Sequence, residues 1–169
     1  MNLTAIRQEH EIVVKHFLDS LTPLTFLNPS QGARWIDIGS GAGFPGLALK
    51  IARPDLQMTL VEAAQRKVTF LHHIIGTLGL AGVFVVHDRL EHLTGLNWDG
   101  RFDLLTTRAL NPILVLSRGK SLVRAGGEIL FYQAESSRES WELRLRAIRG
   151  WSWSGSSRFS FPSMKVAGC

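Results

Sequence analysis

One segment restricts the possible folds of this chain more than any other, a run of glycines between Asp37 and Gly46. Its ten residues read Asp-Ile-Gly-Ser-Gly-Ala-Gly-Phe-Pro-Gly, and from Gly41 onward they satisfy the pattern G-x-G-x-x-G. The run follows a short strand predicted at Arg34–Ile38 and precedes a helix predicted to end near Arg53. Between a strand and a helix, glycines let the backbone approach a ligand and direct helix N–H groups toward it. We call residues 37–46 the glycine loop and expect a ligand site there, in preference to a purely structural turn.

A second acid follows at the distance that such a site requires. Glu62 closes the next predicted strand, Met58–Val61, and stands 21 residues after Gly41. An acid in this position can accept hydrogen bonds from the hydroxyls of a ribose. The combination of strand, loop, helix, strand and acid is far more specific than the glycine pattern alone, so we predict a site for a nucleoside-containing cofactor.

Asp37 bears on which cofactor this is, because its carboxylate precedes the first glycine by two residues. A dinucleotide would bring a pyrophosphate to the loop, and a nearby carboxylate would repel it. S-adenosylmethionine carries no phosphate, and its sulfonium and α-ammonium groups attract a carboxylate. The pattern therefore favours S-adenosylmethionine over NAD. The alternative is that Asp37 caps a backbone turn, and the same residue could do both.

The rest of the chain alternates apolar strands with helices, which is typical of an α/β domain with a mostly parallel central sheet covered on both faces. With 169 residues, of which 45% are hydrophobic, we expect a single domain. Within it we predict a helical segment over residues 1–30, a core over 34–149 and an atypical C-terminal tail over 150–169. The remaining predicted elements are helices at 10–18, 65–78, 112–123 and 136–148, and strands at 83–86, 102–105, 128–132 and, weakly, 158–161.

Composition narrows the functional classes. The only cysteine is the last residue, Cys169, so a disulfide framework and an interior cysteine nucleophile are not expected. The six histidines lack metal-site spacing, and we predict no metal. No apolar run approaches the ~20 residues of a membrane helix, so we expect a cytoplasmic protein without a membrane partner.

The net charge of +5 suits a polyanionic partner or mere solubility. The pair Arg66 and Lys67 could contact RNA phosphates, although solvated helix faces are the simpler interpretation.

Residues near the end of the fourth strand indicate which atom a methyltransferase of this kind could modify. The stretch Leu104–Leu110 lacks the Asn/Asp-Pro-Pro-aromatic motif that holds an exocyclic amine, and it contains Arg108 instead. An arginine in place of an acceptor suggests a target that needs no deprotonation, such as N7 of guanine, for which catalysis is mainly positioning. Arg108 could equally be a surface salt-bridge partner.

Several motifs together resemble the bacterial small-subunit ribosomal RNA guanine-N7 methyltransferase family, also named glucose-inhibited division protein B. The match runs in order over roughly residues 2–131. Its segments are Asn2-Leu3-Thr4-Ala5-Ile6, His16-Phe17-Leu18-Asp19-Ser20-Leu21, the glycine loop, Arg66-Lys67-Val68-Thr69-Phe70-Leu71, Arg89-Leu90-Glu91 and Thr107-Arg108-Ala109.

This resemblance implies a class I methyltransferase (Rossmann-like) fold and methyl transfer from S-adenosylmethionine to N7 of one guanine in 16S rRNA, with the small ribosomal subunit as partner. We expect a monomer. The family's cofactor contacts carry over to Gly39, Phe44, Leu90, Glu91 and Arg108, with Leu90 and Glu91 expected beside the adenine. The glycine loop itself adds Asp37, Gly41 and Gly43 as candidate cofactor contacts, and the second acid, Glu62, completes the set.

The chain departs from the family pattern in three places. Met1 adjoins the Asn-Leu-Thr motif, where a further helical segment is usual, and Gln133-Ala134-Glu135 stands where Lys-Gly is common. The segment Phe161–Met164 is typical of the approach to a final strand, which we expect to be missing, leaving a sheet edge exposed. Two alternatives therefore stay open. They are an NAD(P)-dependent oxidoreductase and a degenerate paralogue that binds cofactor and RNA without catalysis.

Overall fold

Seven strands form one sheet in the order β3-β2-β1-β4-β5-β7-β6. The structure is a computed structural model that describes residues 13–93, 98–108 and 110–132, with the backbone alone at 13–15, 152–153 and 158–160. The strands are β1 Arg34–Ile38, β2 Gln57–Glu62, β3 Val83–His87, β4 Phe102–Arg108, β5 Val123–Tyr132, β6 Ser152–Trp153 and β7 Arg158–Ser160.

Within the described ranges, five α-helices connect or flank these strands: α1 Asp19–Leu21, α2 Gly46–Ala52, α3 Gln65–Leu78, α4 Leu90–Leu93 and α5 Pro112–Arg118. A π-helical turn, Val13–Leu18, precedes α1, and 3-10 turns follow α1 at Thr22–Thr25 and α5 at Gly119–Leu122. Strands β1 to β5 are parallel, whereas β7 runs antiparallel to both β5 and β6. All five carboxyl ends of the parallel strands therefore meet at one edge of the sheet.

Side chains alternate between the two faces of each strand, and each face has its own apolar core. On one face, Ile36 and Ile38 of β1 pack with residues of α4, β4 and α5. On the other face, Trp35 of β1 packs with residues of α2, α3 and β2. Asp37 has the same parity as Trp35, so its side chain enters the layer between the sheet and α2.

Most of the strands and helices predicted from the sequence are confirmed. Strand β1 and helix α3 have the predicted bounds, and α3 ends at Gly79 in a left-handed conformation. Helix α2 stops before Arg53, as expected from Pro54. Strand β4 continues to Arg108, three residues beyond its predicted end. The predicted helix at 10–18 is π-helical over the part that the structure describes.

The boundary between α5 and β5 differs from the prediction. The sequence predicted a helix over 112–123 and a strand from Glu128, but the α-helix ends at Arg118 and β5 begins at Val123. The pairing of β4 with β5 shifts between Phe102 and Leu104, which places Val123 and Glu128 opposite them. The extra residues form a bulge around Gly126, whose φ is +76°. The glycines thus bend the strand instead of separating a helix from it.

The described part of the tail after β5 includes one of the two elements that the sequence predicts there. The predicted helix at 136–148 lies outside the described residues. The weak strand predicted at 158–161 is present as β7, and it pairs with Glu128, Ile129 and Leu130 of β5. Strand β7 thus covers the edge of β5, whereas the expectation of a missing final strand after Phe161–Met164 concerns residues outside the described ranges and stays a prediction. The domain divisions at residues 30, 34 and 150 stay a prediction. Among the described residues, no helix is long and apolar enough to cross a bilayer.

Candidate cofactor site

The glycine loop joins β1 to α2 at the carboxyl edge of the sheet, which is where ligands bind in open α/β folds. Its first half is attached to the neighbouring strand, because the N–H groups of Gly39 and Ser40 both donate to the carbonyl of Val61, at 2.8 and 3.1 Å. The hydroxyl of Ser40 donates to the carbonyl of Asp37 at 2.9 Å. The loop is thus held to β2 by hydrogen bonds between main-chain groups of the protein itself.

The side chain of Asp37 connects the end of the glycine loop to strand β4. Its side chain is fully buried, and Oδ2 accepts a hydrogen bond from the N–H of Gly46 at 3.1 Å. Oδ1 accepts from the hydroxyl of Thr106 on β4 at 3.1 Å, and that hydroxyl accepts in turn from Nε1 of Trp35 at 3.3 Å. Of the two roles considered for Asp37, the structure shows the capping of a backbone turn. A direct contact between Asp37 and a cofactor stays a prediction.

Burial raises the pKa of Asp37 to about 6, and the hydrogen bonds from Gly46, Thr106 and Ser40 act in the opposite direction. The carboxylate of Glu62 adds a smaller upward contribution. The side chain is therefore mostly ionised at pH 7. The N–H of Gly46 and the hydroxyl of Thr106 stabilise the negative charge in this layer.

Glu62, at the end of β2, fixes the middle of the loop. Its Oε2 accepts from the N–H of Gly41 at 2.9 Å, and its Oε1 accepts from the N–H of Ala64 at 2.8 Å. The side chain is buried. Both oxygens are therefore engaged by the backbone, and each still has a lone pair that can accept from a ribose hydroxyl.

Two glycines are required for different reasons. At Gly46 an added Cβ would lie 2.9 Å from Oδ2 of Asp37 and would overlap Leu60, so α2 can rest on the carboxylate only without a side chain. At Gly41 φ is +58°, and among the described residues beyond its two chain neighbours an added Cβ would have only the carbonyl oxygen of Gly39 within 4 Å. Gly41 thus presents open backbone, and a ligand can approach it closely. The predicted loop residues Gly39 and Gly43 also have positive φ.

Residues 16–21, which we call the N-terminal segment, cover the outer side of the loop. The ring of Phe44 stacks on His16, with 5.3 Å between centroids, and meets Phe17 edge-on at 4.8 Å. Burial lowers the pKa of His16, and the nearby guanidinium of Arg108 lowers it further. Phe44 was predicted as a cofactor contact, and in this structure its ring links the loop to residues before β1.

The same segment is tied to the ends of β4 and β5. Arg108 forms an ion pair with Asp19 of α1, with 3.2 Å between Nη2 and Oδ2. The hydroxyl of Tyr132 donates to the carbonyl of Ser20 at 2.7 Å. Burial raises the pKa of Tyr132, with further contributions from Asp37 and Asp19. The suggestion that Arg108 is a salt-bridge partner thus holds, with a partner in the segment that covers the site.

The structure separates the two residues predicted to lie beside the adenine. Leu90, the first residue of α4, is buried in the core with Ile38 and Val61, whereas Glu91 is exposed. Leu110 packs on the same core, and its side chain lies 3.2 Å from where a Cβ of Gly39 would stand. Leu90 therefore supports the floor of the site, and its contact with an adenine stays a prediction, as does that of Glu91.

A cavity of about 300 Å³ lies elsewhere, at the amino ends of the central strands. Its lining includes Ala33, Asp103 and Gly126. These residues are at the opposite edge of the sheet from the glycine loop, so the cavity does not belong to the predicted site. In the ranges that the structure describes, no three histidine, cysteine, aspartate or glutamate side chains lie close enough to hold a metal ion.

Sequence reasoning missed the residues that connect the site to its surroundings. Thr106 and Tyr132 were given no function, and His16, Asp19 and Ser20 were noted only as part of a motif. A threonine pair inside an otherwise apolar strand was the available signal for Thr106. Nothing in the sequence indicated the contact between Tyr132 and Ser20, which joins residues 112 positions apart.

Solved structures share this fold. One is a SAM-dependent O-methyltransferase from Thermotoga maritima, with a TM-score of 0.67 and 16% sequence identity, over 89% of this chain and 55% of that one. The strand order and this similarity confirm the predicted class I methyltransferase (Rossmann-like) fold.

Sequence comparison gives a narrower result. Ribosomal RNA small subunit methyltransferase G of Caldanaerobacter subterraneus is 40% identical over 85% of this chain, and the match spans 61% of that relative's length. The protein of the same name from Limosilactobacillus fermentum is 39% identical over 99% of this chain and 71% of the relative. The family model GidB, described as rRNA small subunit methyltransferase G, matches residues 1–163. The chain therefore belongs to the GidB family of rRNA small subunit methyltransferase G.

Proposed function

We propose that this chain is an S-adenosylmethionine-dependent methyltransferase that transfers a methyl group to N7 of a guanine in 16S rRNA, with the small ribosomal subunit as its partner. The observation that carries the proposal is the family match over residues 1–163, which includes every residue of the candidate site. The geometry of the loop and its two acids agrees with it. The same match gives no support to an NAD(P)-dependent oxidoreductase.

The residues at the carboxyl edge suit this cofactor. Gly41 offers open backbone to a ligand, and Glu62 lies beside it with acceptor capacity for a ribose. The buried charge of Asp37 sets a negative potential behind the loop, which favours a cationic ligand over a pyrophosphate. His16 lies against Phe44 and is influenced by the charge of Arg108, which brings both predicted contacts to this end of the sheet. When bound, S-adenosylmethionine supplies a methyl carbon attached to a positively charged sulfur.

Methylation at N7 makes limited demands on the protein. The N7 lone pair of guanine lies in the plane of the base and forms the new N–C bond, while the electrons of the S–C bond stay on sulfur. No proton must be removed from the base first, so the site needs no general base. The work of this chain is then to hold the base in line with the methyl group and to exclude water.

Arg108 is our candidate for positioning the substrate. Its side chain is 27% exposed at the end of β4, and its partner Asp19 is more exposed, so part of the ion pair is open to solvent at this end of the strand. An arginine in this place can hold a phosphate or the O6 and N7 edge of a guanine. Arg66 and Lys67, exposed at the start of α3, and Arg89, exposed after β3, offer further cations for RNA phosphates.

The test is transfer of a labelled methyl group. Small subunits from cells that lack the endogenous enzyme are incubated with the protein and S-adenosylmethionine carrying a tritiated methyl group, and the modified nucleoside is identified after digestion. We expect 7-methylguanosine from 16S rRNA. The Arg108→Ala variant should transfer the methyl group at least tenfold more slowly. An unchanged affinity for S-adenosylmethionine would assign Arg108 to the substrate, and a parallel loss of affinity would assign it to the cofactor, as the family resemblance implies. Arg118→Ala, which changes an exposed arginine of α5, is the matched control and should keep the wild-type rate.

Each contrary outcome has a distinct meaning. Cofactor binding without any transfer to RNA would support the degenerate paralogue, and transfer to a different nucleoside would refute N7 of guanine as the target. A wild-type rate in Arg108→Ala would remove this residue from the reaction. Running the assay on naked 16S rRNA beside assembled subunits tests the ribosomal partner.

A further inference from the structure

We propose that Thr106 is a positioning residue of the cofactor site, which holds the carboxylate of Asp37 in the orientation that anchors the glycine loop to α2. The inference deepens the proposed function and rests on it, because it concerns the same site. It is carried by a set of buried contacts between β1, β4 and α2.

The two residues lie side by side on neighbouring strands of the sheet. Asp37 and Thr106 are register partners in the parallel pairing of β1 with β4, and both are fully buried on the face that packs against α2. The hydroxyl of Thr106 has one hydrogen, which it donates to Oδ1 of Asp37 at 3.1 Å. It accepts from Nε1 of Trp35 at 3.3 Å. Because an indole N–H can only donate, it directs the hydroxyl hydrogen toward the carboxylate.

Fixing one carboxylate oxygen fixes the other, since the group is planar. With Oδ1 held by Thr106, Oδ2 points at the N–H of Gly46, 3.1 Å away. Gly46 is both the last residue of the glycine loop and the first of α2. The contacts therefore run from Trp35 through Thr106 and Asp37 to the point where the loop enters the helix. Loss of the hydroxyl would free Asp37 to rotate and would loosen this attachment.

The same hydrogen bond bears on the charge of Asp37. Burial raises the pKa of Asp37 to about 6, and the hydroxyl of Thr106 opposes that rise by favouring the charged form. Two other titratable groups face the carboxyl. Glu62 on β2 raises its pKa, and Tyr132 on β5 is coupled to it electrostatically. Removing the hydroxyl should raise the pKa of Asp37 further. A larger fraction of the Asp37 carboxyl groups would then be protonated at pH 7.

The test compares three variants. Thr106→Val removes the hydroxyl while keeping the shape, Thr106→Ser keeps the hydroxyl, and Thr107→Val is the matched control. Thr107 is equally buried, but its hydroxyl donates to the carbonyl of Ile38 at 3.0 Å and not to Asp37. For each, binding of S-adenosylmethionine is measured by calorimetry between pH 5.5 and 8. The titration of the Asp37 carboxyl carbon is followed by NMR without ligand.

We expect Thr106→Val to weaken cofactor binding roughly tenfold at pH 7 and to move the Asp37 titration to higher pH. Thr106→Ser should restore both, and Thr107→Val should leave the titration unchanged. Unaltered binding and titration in Thr106→Val would overturn the inference, as would an equal shift in Thr107→Val. If the wild-type protein does not bind S-adenosylmethionine, the proposed function fails, whereas the carboxyl titration still decides whether Thr106 controls Asp37. The exchange rate of the Thr106 hydroxyl proton in the wild-type protein decides the contact if Thr106→Val does not fold.

Discussion

Replacing Asp37 by asparagine is expected to make the protein more stable at neutral pH, although the residue belongs to the site. The carboxyl is fully buried, and burial raises its pKa from 3.8 to about 6. Between these values the folded state binds a proton that the unfolded state has already released. Stability from this group is therefore present at low pH and lost as the pH rises through 4 to 6.

The magnitude follows from the size of the pKa shift. Ionised Asp37 lowers the free energy of unfolding by about 3 kcal/mol at pH 7, and by only about 0.5 kcal/mol at pH 4. The Asp37→Asn side chain has no charge to bury, but its amide can satisfy only one of the donors from Gly46 and Thr106 as an acceptor. That loss costs about 1 kcal/mol. The variant should therefore be about 2 kcal/mol more stable than the wild type at pH 7 and about 0.5 kcal/mol less stable at pH 4.

Urea unfolding of both proteins at pH 4, 5, 6 and 7 measures this difference. Groups that titrate identically in both proteins cancel in the comparison, so the pH dependence that remains belongs to Asp37. A difference in unfolding free energy that stays constant from pH 4 to 7 would refute the reasoning. The same samples should show weaker binding of S-adenosylmethionine in the variant, because the negative charge behind the loop is gone.

Two further predictions concern the loop. Gly46→Ala should lower the free energy of unfolding by about 1–3 kcal/mol, because the new methyl group meets Oδ2 of Asp37 and Leu60; a urea midpoint equal to that of the wild type would contradict the close packing. Glu62→Gln keeps the shape but can accept with only one oxygen, so the hydrogen bond from Gly41 or from Ala64 is lost. We expect about tenfold weaker cofactor binding by calorimetry, and an unchanged affinity would argue against Glu62 as a site residue.

The sequence predicted the sheet and the position of the site because both depend on local patterns. Runs such as Arg34–Ile38 are strands by composition, and a glycine-rich turn between strand and helix indicates a ligand-binding edge wherever the fold places it. The glycine loop and both acids were thus singled out without coordinates, and the structure brings them into contact. The same local reasoning failed at Val123, because the bulge that incorporates Gly126 depends on pairing with β4 and not on the segment's own preferences.

What the sequence could not supply was the set of partners across the fold. That Thr106 lies opposite Asp37 follows from the register of two strands separated by 69 positions in the chain. That Asp19 pairs with Arg108 requires the N-terminal segment to lie over the ends of β4 and β5. Neither arrangement has a local signature, since each results from the packing of distant elements. The acids could be predicted as site residues, but their bonds to the loop backbone could not.

The attachment of α1 to the last parallel strand has a consequence for biosynthesis. Ser20 meets Tyr132, so the full set of contacts that holds the first helix of the described chain forms only after β5 has joined the sheet. On the ribosome, more than a hundred residues must leave the exit tunnel before this contact can form. Until then the segment that carries His16 and Phe17 lacks this hydrogen bond, so the cover that the two rings give to Phe44 of the glycine loop is completed late in folding.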